Sequence, residues 1–351
     1  MSRADMTKGH GVLSVYEELL KMLGKYYPDK YEVRINTLKK ADVFHYHTVN
    51  PGFFLSLPVV RLQKAVTVGF VHFMPKTLDD SLHLPRIAKK VFYAYVIAFY
   101  RAMDRIVVVN PHFAADLIEA GIDEKKITFI PNCVSEDAFF PYDGEKKREV
   151  RRALGFSPDR RAENDAGQLQ NRKGVLDFAE IAKRHPECDF VWAGGFSFGK
   201  MSDGYEEIKA LTENPPENLR FEGIVDRARM NDYYNAADLL LFPSYQELFP
   251  MTLLEAFSCR LPVVARALPE FDGVVSDYCA LCADSGELEK KTAELTSDPE
   301  KLAAAAALAE KGAERYCAKN VAAIWDGFYS GSPGSRTGTI TGTGGKNIFR
   351  K

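Results

Sequence analysis

Apolar positions along the chain switch repeatedly between two periods. From Gly11 to Tyr27, Val12, Val15, Tyr16, Leu19, Leu20 and Leu23 recur at helical spacing. Residues 31–36 (YEVRIN) alternate like a strand, and Val43–His47 reads as another. Residues 65–72 (AVTVGFVH), 106–109 (IVVV) and 127–130 (ITFI) are nearly continuous apolar runs, as expected of strands buried in a parallel sheet. Between the last two, residues 111–120 predict a helix stopped by Gly121. A charged stretch at 143–149 (DGEKKRE) reads as a linker. The alternation then resumes, with helices at 174–185, 205–212, 230–235, 253–257 and 302–316 and strands at 190–195, 219–224, 239–242 and 262–265. Two such series predict an α/β protein of two parallel-sheet halves, residues 1–142 and 143–329, with the last helix able to pack back on the first half. Residues 330–351 are rich in Gly, Ser and Thr, lack a core pattern and are expected to be a disordered tail.

Composition changes this picture little. A chain of 351 residues with 46% hydrophobic and 27% charged residues suits two soluble domains. A net charge of -2 argues against a nucleic-acid partner. No apolar run reaches the ~20 residues of a membrane span, and the first residues (MSRADM) lack a signal core. Of six cysteines, Cys279 and Cys282 have C-x-x-C spacing without the second pair a zinc ribbon needs, so all six read as thiols of a reducing cytosol.

The densest chemical signal is residues 243–256 (PSYQELFPMTLLEA), where a buried strand gives way to a turn and then a helix near Pro250. Ligands bind at such strand ends, and free helix N–H groups suit a diphosphate. Glu247 in the loop and Glu255 in the helix can accept hydrogen bonds from sugar and ribose hydroxyls; the plain alternative is two solvated carboxylates. In residues 167–175 (GQLQNRKGV), Arg172 and Lys173 can neutralise two phosphates, or form an ordinary basic surface. Gly9 and Gly11 flank His10 before the first helix, a turn that lets backbone approach a ligand. His72 ends a buried strand and can face a cleft, whereas His45 and His47 share one strand face and read as structural. The aromatic helix at 86–101, with Lys89, Lys90 and Arg101 at its ends, suits either an anionic membrane surface or its own core.

Taken together these residues resemble the retaining glycosyltransferases of family 4. The resemblance rests on Glu247-x7-Glu255 after Phe242-Pro243-Ser244, on residues 105–141 (RIVVVNPHFAADLIEAGIDEKKITFIPNCVSEDAFFP), and on AGQLQNRKGV at 166–175. FVWAGGFSFGKMSDGY, MNDYYNAADLLLFPSYQELFPMTLLEAFS, HYHTVNPGFF and VHFMPKTLDDS look similar to the diacylglycerol and monoglucosyl-diacylglycerol glycosyltransferases of Gram-positive bacteria. The resemblance implies a GT-B fold, two Rossmann-like domains facing a cleft. It implies retaining, metal-independent transfer of glucose or galactose from UDP-glucose or UDP-galactose to a diacylglycerol-type lipid, with no cofactor. By the same resemblance Glu247 and His72 meet the transferred sugar, and Gln168, Arg172, Lys173, Val225, Phe249, Glu255, Gly9 and Gly11 hold the donor. The chain is then a cytoplasmic protein peripheral to the inner face of the membrane. Two alternatives stay open: a soluble or polysaccharide acceptor, and an inactive nucleotide-sugar-binding relative. Gln168 stands where many family members have Arg. The family also opens each half with a buried strand; none is expected before Gly9, nor at the polar residues 160–166 (RRAENDA).

Overall fold

The computed structural model describes residues 1–2, 11–72, 86–197, 199 and 202–331. The first sheet contains β1 (Val43–Tyr46), β2 (Val66–Val71), β3 (Arg105–Val108) and β4 (Ile127–Phe129), parallel and in that spatial order. The steps between strands run through α2 (Pro51–Leu62), α3 (Arg86–Arg101) and α4 (His112–Glu119). Right-handed crossovers in one direction leave all three helices on one face, where Leu57, Val60, Val96, Phe99, Phe113 and Leu117 share a core. The other face is covered by α1 (Gly11–Tyr26) and the last helix, α12 (Ala318–Ser330); Leu19, Met22 and Trp325 pack with Val68 and Phe70. The Arg105 guanidinium holds α12 there through the Phe328 and Gly331 carbonyls, at 2.9 and 2.6 Å.

The second sheet is also fully parallel, in the order β10-β9-β8-β5-β6-β7, from β5 (Ala162–Ala166), β6 (Asp189–Ala193), β7 (Leu219–Gly223), β8 (Leu239–Phe242), β9 (Val263–Arg266) and β10 (Ala280–Cys282). Its helices are α5 (Gly144–Ala153), α6 (Val175–Arg184), α7 (Tyr205–Glu213), α8 (Arg227–Ala236), α9 (Met251–Ser258), α10 (Ser285–Ser297) and α11 (Pro299–Tyr316). The chain winds outward from β5 to β7, returns to the opposite side of β5 as β8, and winds outward again. The winding direction therefore switches between β5 and β8.

Several expectations are corrected. The charged stretch at 143–149 is not a linker but the start of α5, whose N-terminus is capped by Asp143 accepting from the Lys146 N–H at 2.8 Å. Its charges coat the outer side, while buried Arg151 reaches the Ala236 carbonyl and Asp238 at 2.8 and 3.0 Å. Residues 31–36 form no strand; Tyr31 turns to α12 and donates to Asp326 at 2.6 Å. Ser330 still belongs to α12, and the tail from 332 on lies outside the described residues. Ahead of α1, Met1 pairs with the outer edge of β1, its carbonyl accepting from the His47 N–H at 2.9 Å.

The largest correction concerns β5. Residues 162–166 do form a strand, and it is central: Asn164 pairs with Val191 on one side and Leu240 on the other. Two neighbouring ladders impose this conformation on a sequence with poor strand preference. The cost is visible, because Glu163, Asn164 and Asp165 are at most 1% exposed. Among the described residues no group makes a well-formed hydrogen bond to either Asn164 side-chain atom, and Glu163 has only the weak donor of the Cys188 thiol beside it. Burial pushes the Glu163 carboxyl up to about 8.

An acid raised in the native state binds a proton that the unfolded chain has already lost. Its penalty is absent below the ordinary carboxyl range and grows as pH rises towards 8. Glu163→Val is therefore expected to stabilise the protein at pH 8 by about 1–3 kcal/mol and to flatten the fall in Tm between pH 5 and 8. Thermal melts across that range check this; an unchanged slope would mean that Glu163 is not buried as an acid.

Candidate functional site

The two loops flanking the switch point carry most of the predicted residues. After β5 the chain runs from Gly167 to a short 3-10 turn at Asn171–Lys173 and enters α6 at Gly174. Gly174 has φ +72°, and a Cβ there would lie 2.4 Å from the Pro243 carbonyl oxygen, so only glycine allows the loops to meet. After β8, residues 243–250 lead into α9, and the Tyr245 N–H donates to the Arg172 carbonyl at 2.8 Å. Thr252 in the first turn of α9 fastens this loop to the end of β5 through the Ala166 carbonyl at 2.9 Å.

Between the loops, Lys173 Nζ meets Glu247 Oε1 at 2.5 Å, and Ser244 Oγ donates to the same oxygen at 2.7 Å. Both charged side chains are largely buried, 14% and 7% exposed. Asp165 lies near this pair; burial holds its carboxyl well above the usual range, with Glu247 adding to the rise and Lys173 and the Ala166 N–H opposing it. Arg172 is held by amides rather than acids, donating to Gln170 at 2.8 Å and to Gln168 at 3.1 Å. Gln168 thus orients the adjacent cation. Two cations and two carboxyl groups gathered at a helix N-terminus form a site suited to a polyanion.

Glu255 sits in α9 and is 8% exposed. Tyr234 donates to its Oε2 at 2.8 Å, and Arg227 Nε and Nη2 donate to its Oε1 at 3.3 and 3.1 Å. Burial raises the Glu255 carboxyl, against the pull of Arg227 and Tyr234. Arg227 and Tyr234 were not singled out from sequence, since both come from α8 and no motif spacing links them to Glu255. Val225 lies half-buried in the turn before α8. Phe249 packs edge-on against Tyr316, ring centroids 5.4 Å apart, so its ring serves the core.

His72 follows β2 and is buried at 8% exposure, which lowers its imidazole to about 3 and leaves it neutral. Its Nε2 shares a hydrogen bond with His47 Nδ1 at 3.2 Å, while His45 Nδ1 meets the Tyr329 hydroxyl at 2.9 Å. The strand ends of the two sheets face one another: Asn110, after β3, donates to the Leu248 and Glu270 carbonyls, after β8 and β9, at 2.9 and 2.7 Å. Gly11 opens α1, and Gly9 lies outside the described residues. On α3, Lys90 is exposed, Lys89 lies 5.8 Å from the Tyr93 ring centroid, and Arg101 is tied to the Ala120 carbonyl beside α4. Cys279 and Cys282 are buried free thiols, both raised by burial. Among the described residues no group of three His, Cys, Asp or Glu gathers to hold a metal ion.

Two Rossmann-like domains with opposed strand ends, and a polyanion site at the switch point of the second, define the GT-B class of sugar transferases. The family model "Glycosyltransferase Family 4" matches residues 9–138, and "Glycosyl transferases group 1" matches residues 147–314. The chain is 39% identical over 329 residues to the alpha-galactosylglucosyldiacylglycerol synthase of Streptococcus pneumoniae, covering 94% of this chain and 88% of that one. It is 28% identical over 187 residues to the processive diacylglycerol alpha-glucosyltransferase of Acholeplasma laidlawii, covering 53% of this chain and 55% of that one. In fold it is similar to HepE from Anabaena, crystallised with UDP and glucose, with a TM-score of 0.70 at 16% identity over 82% of this chain and 77% of that one. The chain belongs to family 4 of the glycosyltransferases.

The Lys173–Glu247 pair sets a carboxylate against the ammonium, so an anion brought to Lys173 competes with Glu247 for it. Glu247→Gln is expected to tighten binding of inorganic pyrophosphate by about tenfold, and Lys173→Met to weaken it by at least as much. Calorimetric titration checks both. Equal affinities in wild type and Glu247→Gln would show that the pair does not gate the anion.

Proposed function

We propose that this glycosyltransferase moves glucose or galactose from a UDP-sugar to a diacylglycerol-type membrane lipid. The observation that carries the acceptor class is the similarity, over nearly the whole chain, to the pneumococcal synthase. The donor diphosphate takes Lys173 from Glu247 and lies between Lys173 and Arg172, which neutralise the charge that develops as the glycosidic bond breaks. Glu247, released, accepts from the hexose hydroxyls. Glu255 accepts from the ribose diol, and the backbone near Val225 meets the uracil. Gly9 and Gly11 let the start of α1 approach the phosphates. His72, neutral and fixed by His47, faces the transferred sugar. With two cations on the diphosphate the reaction proceeds without a metal, and the anomeric configuration is retained.

A lipid acceptor requires contact with a bilayer, and the outer face of the first domain suits one. Leu55, Val59 and Leu62 recur along α2 at 76%, 47% and 85% exposure, and Ile87 and Val91 on α3 at 81% and 65%. The two helices are neighbours, with the Tyr95 hydroxyl of α3 donating to the Val49 carbonyl ahead of α2 at 2.6 Å. Neither 51–65 nor 86–101 contains an acidic residue, while Arg61, Lys64, Lys89, Lys90 and Arg101 are basic. An apolar surface edged with cations suits anionic lipid. No helix among the described residues is long and apolar enough to cross a membrane. In this reading the chain acts from the surface, at the cytoplasmic leaflet where UDP-sugars are available.

Incubation of the chain with each radiolabelled UDP-sugar and with diacylglycerol or glucosyl-diacylglycerol in anionic vesicles tests the reaction. Transfer to one lipid, α-linked and insensitive to EDTA, is expected; Glu247→Gln should lower kcat about 10²–10³-fold. Transfer only to a soluble sugar would overturn the lipid acceptor. In co-sedimentation, Leu55→Asp with Leu62→Asp should cut binding to anionic vesicles by about tenfold while leaving UDP binding intact. Unchanged sedimentation would remove α2 from the membrane surface.

A further inference from the structure

Arg227 joins a carboxylate of each domain. Its Nη1 donates to Glu18 Oε1 on α1 at 2.7 Å, and its Nε and Nη2 reach Glu255 Oε1 on α9. Glu18 is 2% exposed, and its other oxygen has no hydrogen-bond partner among the described residues. The guanidinium lies over Phe139, 5.2 Å from the ring centroid, which fixes its plane. Two buried carboxylates on opposite sides of a domain boundary would repel each other. A guanidinium between them turns that repulsion into a bridge, and removing it leaves two buried carboxylates unmatched. With Tyr234 on Oε2, the Glu255 carboxylate is held from two sides, one of them anchored in the other domain.

We infer that Glu18 is a positioning residue for the donor: through Arg227 it orients Glu255 for the ribose hydroxyls, and so couples closure of the two domains to preference for a ribonucleotide. This rests on the reading of Glu255 as the ribose ligand. Coupling of this kind is reciprocal, so a ligand that engages Glu255 also favours the closed arrangement in which Glu18 reaches Arg227.

The test is calorimetric titration of the full chain with UDP and with 2′-deoxy-UDP. Wild type is expected to prefer UDP by about tenfold or more, the weight of a hydrogen bond to a charged group. Glu18→Gln keeps the shape of the side chain and lies in the other domain, yet it should reduce that preference at least threefold. Arg227→Met should bring it close to one, and Arg227→Lys should restore part of it. A merely structural role would weaken both nucleotides alike and leave the ratio unmoved. An unchanged ratio in Glu18→Gln, or no preference in wild type that binds UDP, overturns the inference alone. Failure of wild type to bind either nucleotide overturns the donor reading and the inference with it. Thermal melts accompany each variant; if Glu18→Gln does not fold, Glu18→Asp, which keeps the charge but shortens its reach, replaces it in the comparison.

Discussion

The slot between β6 and β8 has to be filled by a strand, and the rest of the second domain depends on how it is filled. β5 carries backbone ladders on both sides, so its end sets where the Gly167–Gly174 loop leaves the sheet, and β8 beside it sets where residues 243–250 leave. Lys173 and Glu247 are 74 positions apart in sequence and meet because these two strands are neighbours at the point where the winding reverses. A ladder slot constrains backbone and not side chains. Residues 162–166 can therefore satisfy it while carrying three polar side chains into the interior.

Much of this was legible in the sequence where local punctuation and chemistry agree. The run Leu239–Phe242, the turn at Pro243 and Pro250 at the helix entrance mark strand, loop and helix whatever the tertiary context, so the spacing alone places Glu247 in the loop and Glu255 in the helix. The apolar strands of the first sheet were legible for the same reason. β5 was not, because hydrophobic periodicity reports burial through apolar side chains, and Glu163, Asn164 and Asp165 are buried without being apolar. α5 was missed for the converse reason: its first turns are charged because they face water, and only Val150 and Arg151 turn inward. Arg227 and Glu18, 209 positions apart, carry no sequence signal at all, since their pairing exists only once the domains meet.

Lys173, Arg172 and Arg227 are each engaged by groups of the protein itself. Lys173 holds Glu247, Arg172 is held by two glutamine side chains, and Arg227 joins Glu18 to Glu255. The site is thus close to internally neutral, which suits a cleft partly shielded from water, where unpaired charge is costly. On the proposed function, binding is then a replacement of carboxylate by ligand oxygen rather than an addition of new ion pairs. Its net free energy is a difference between two similar charge-assisted bonds.

That difference favours ligands by charge and reach. A single monoanion gains little by displacing Glu247 from Lys173, because it exchanges one carboxylate-like contact for another. A diphosphate bound as proposed keeps Lys173 paired and also draws on Arg172, whose amide partners offer only neutral oxygens. On the proposed function, the Glu247 carboxylate it releases then has a new set of donors in the hexose hydroxyls. On that proposal, the same exchange that selects a diphosphate frees the group that recognises the sugar attached to it. In that proposed sequence charge and sugar are read in one step, and neither half of the donor alone completes it.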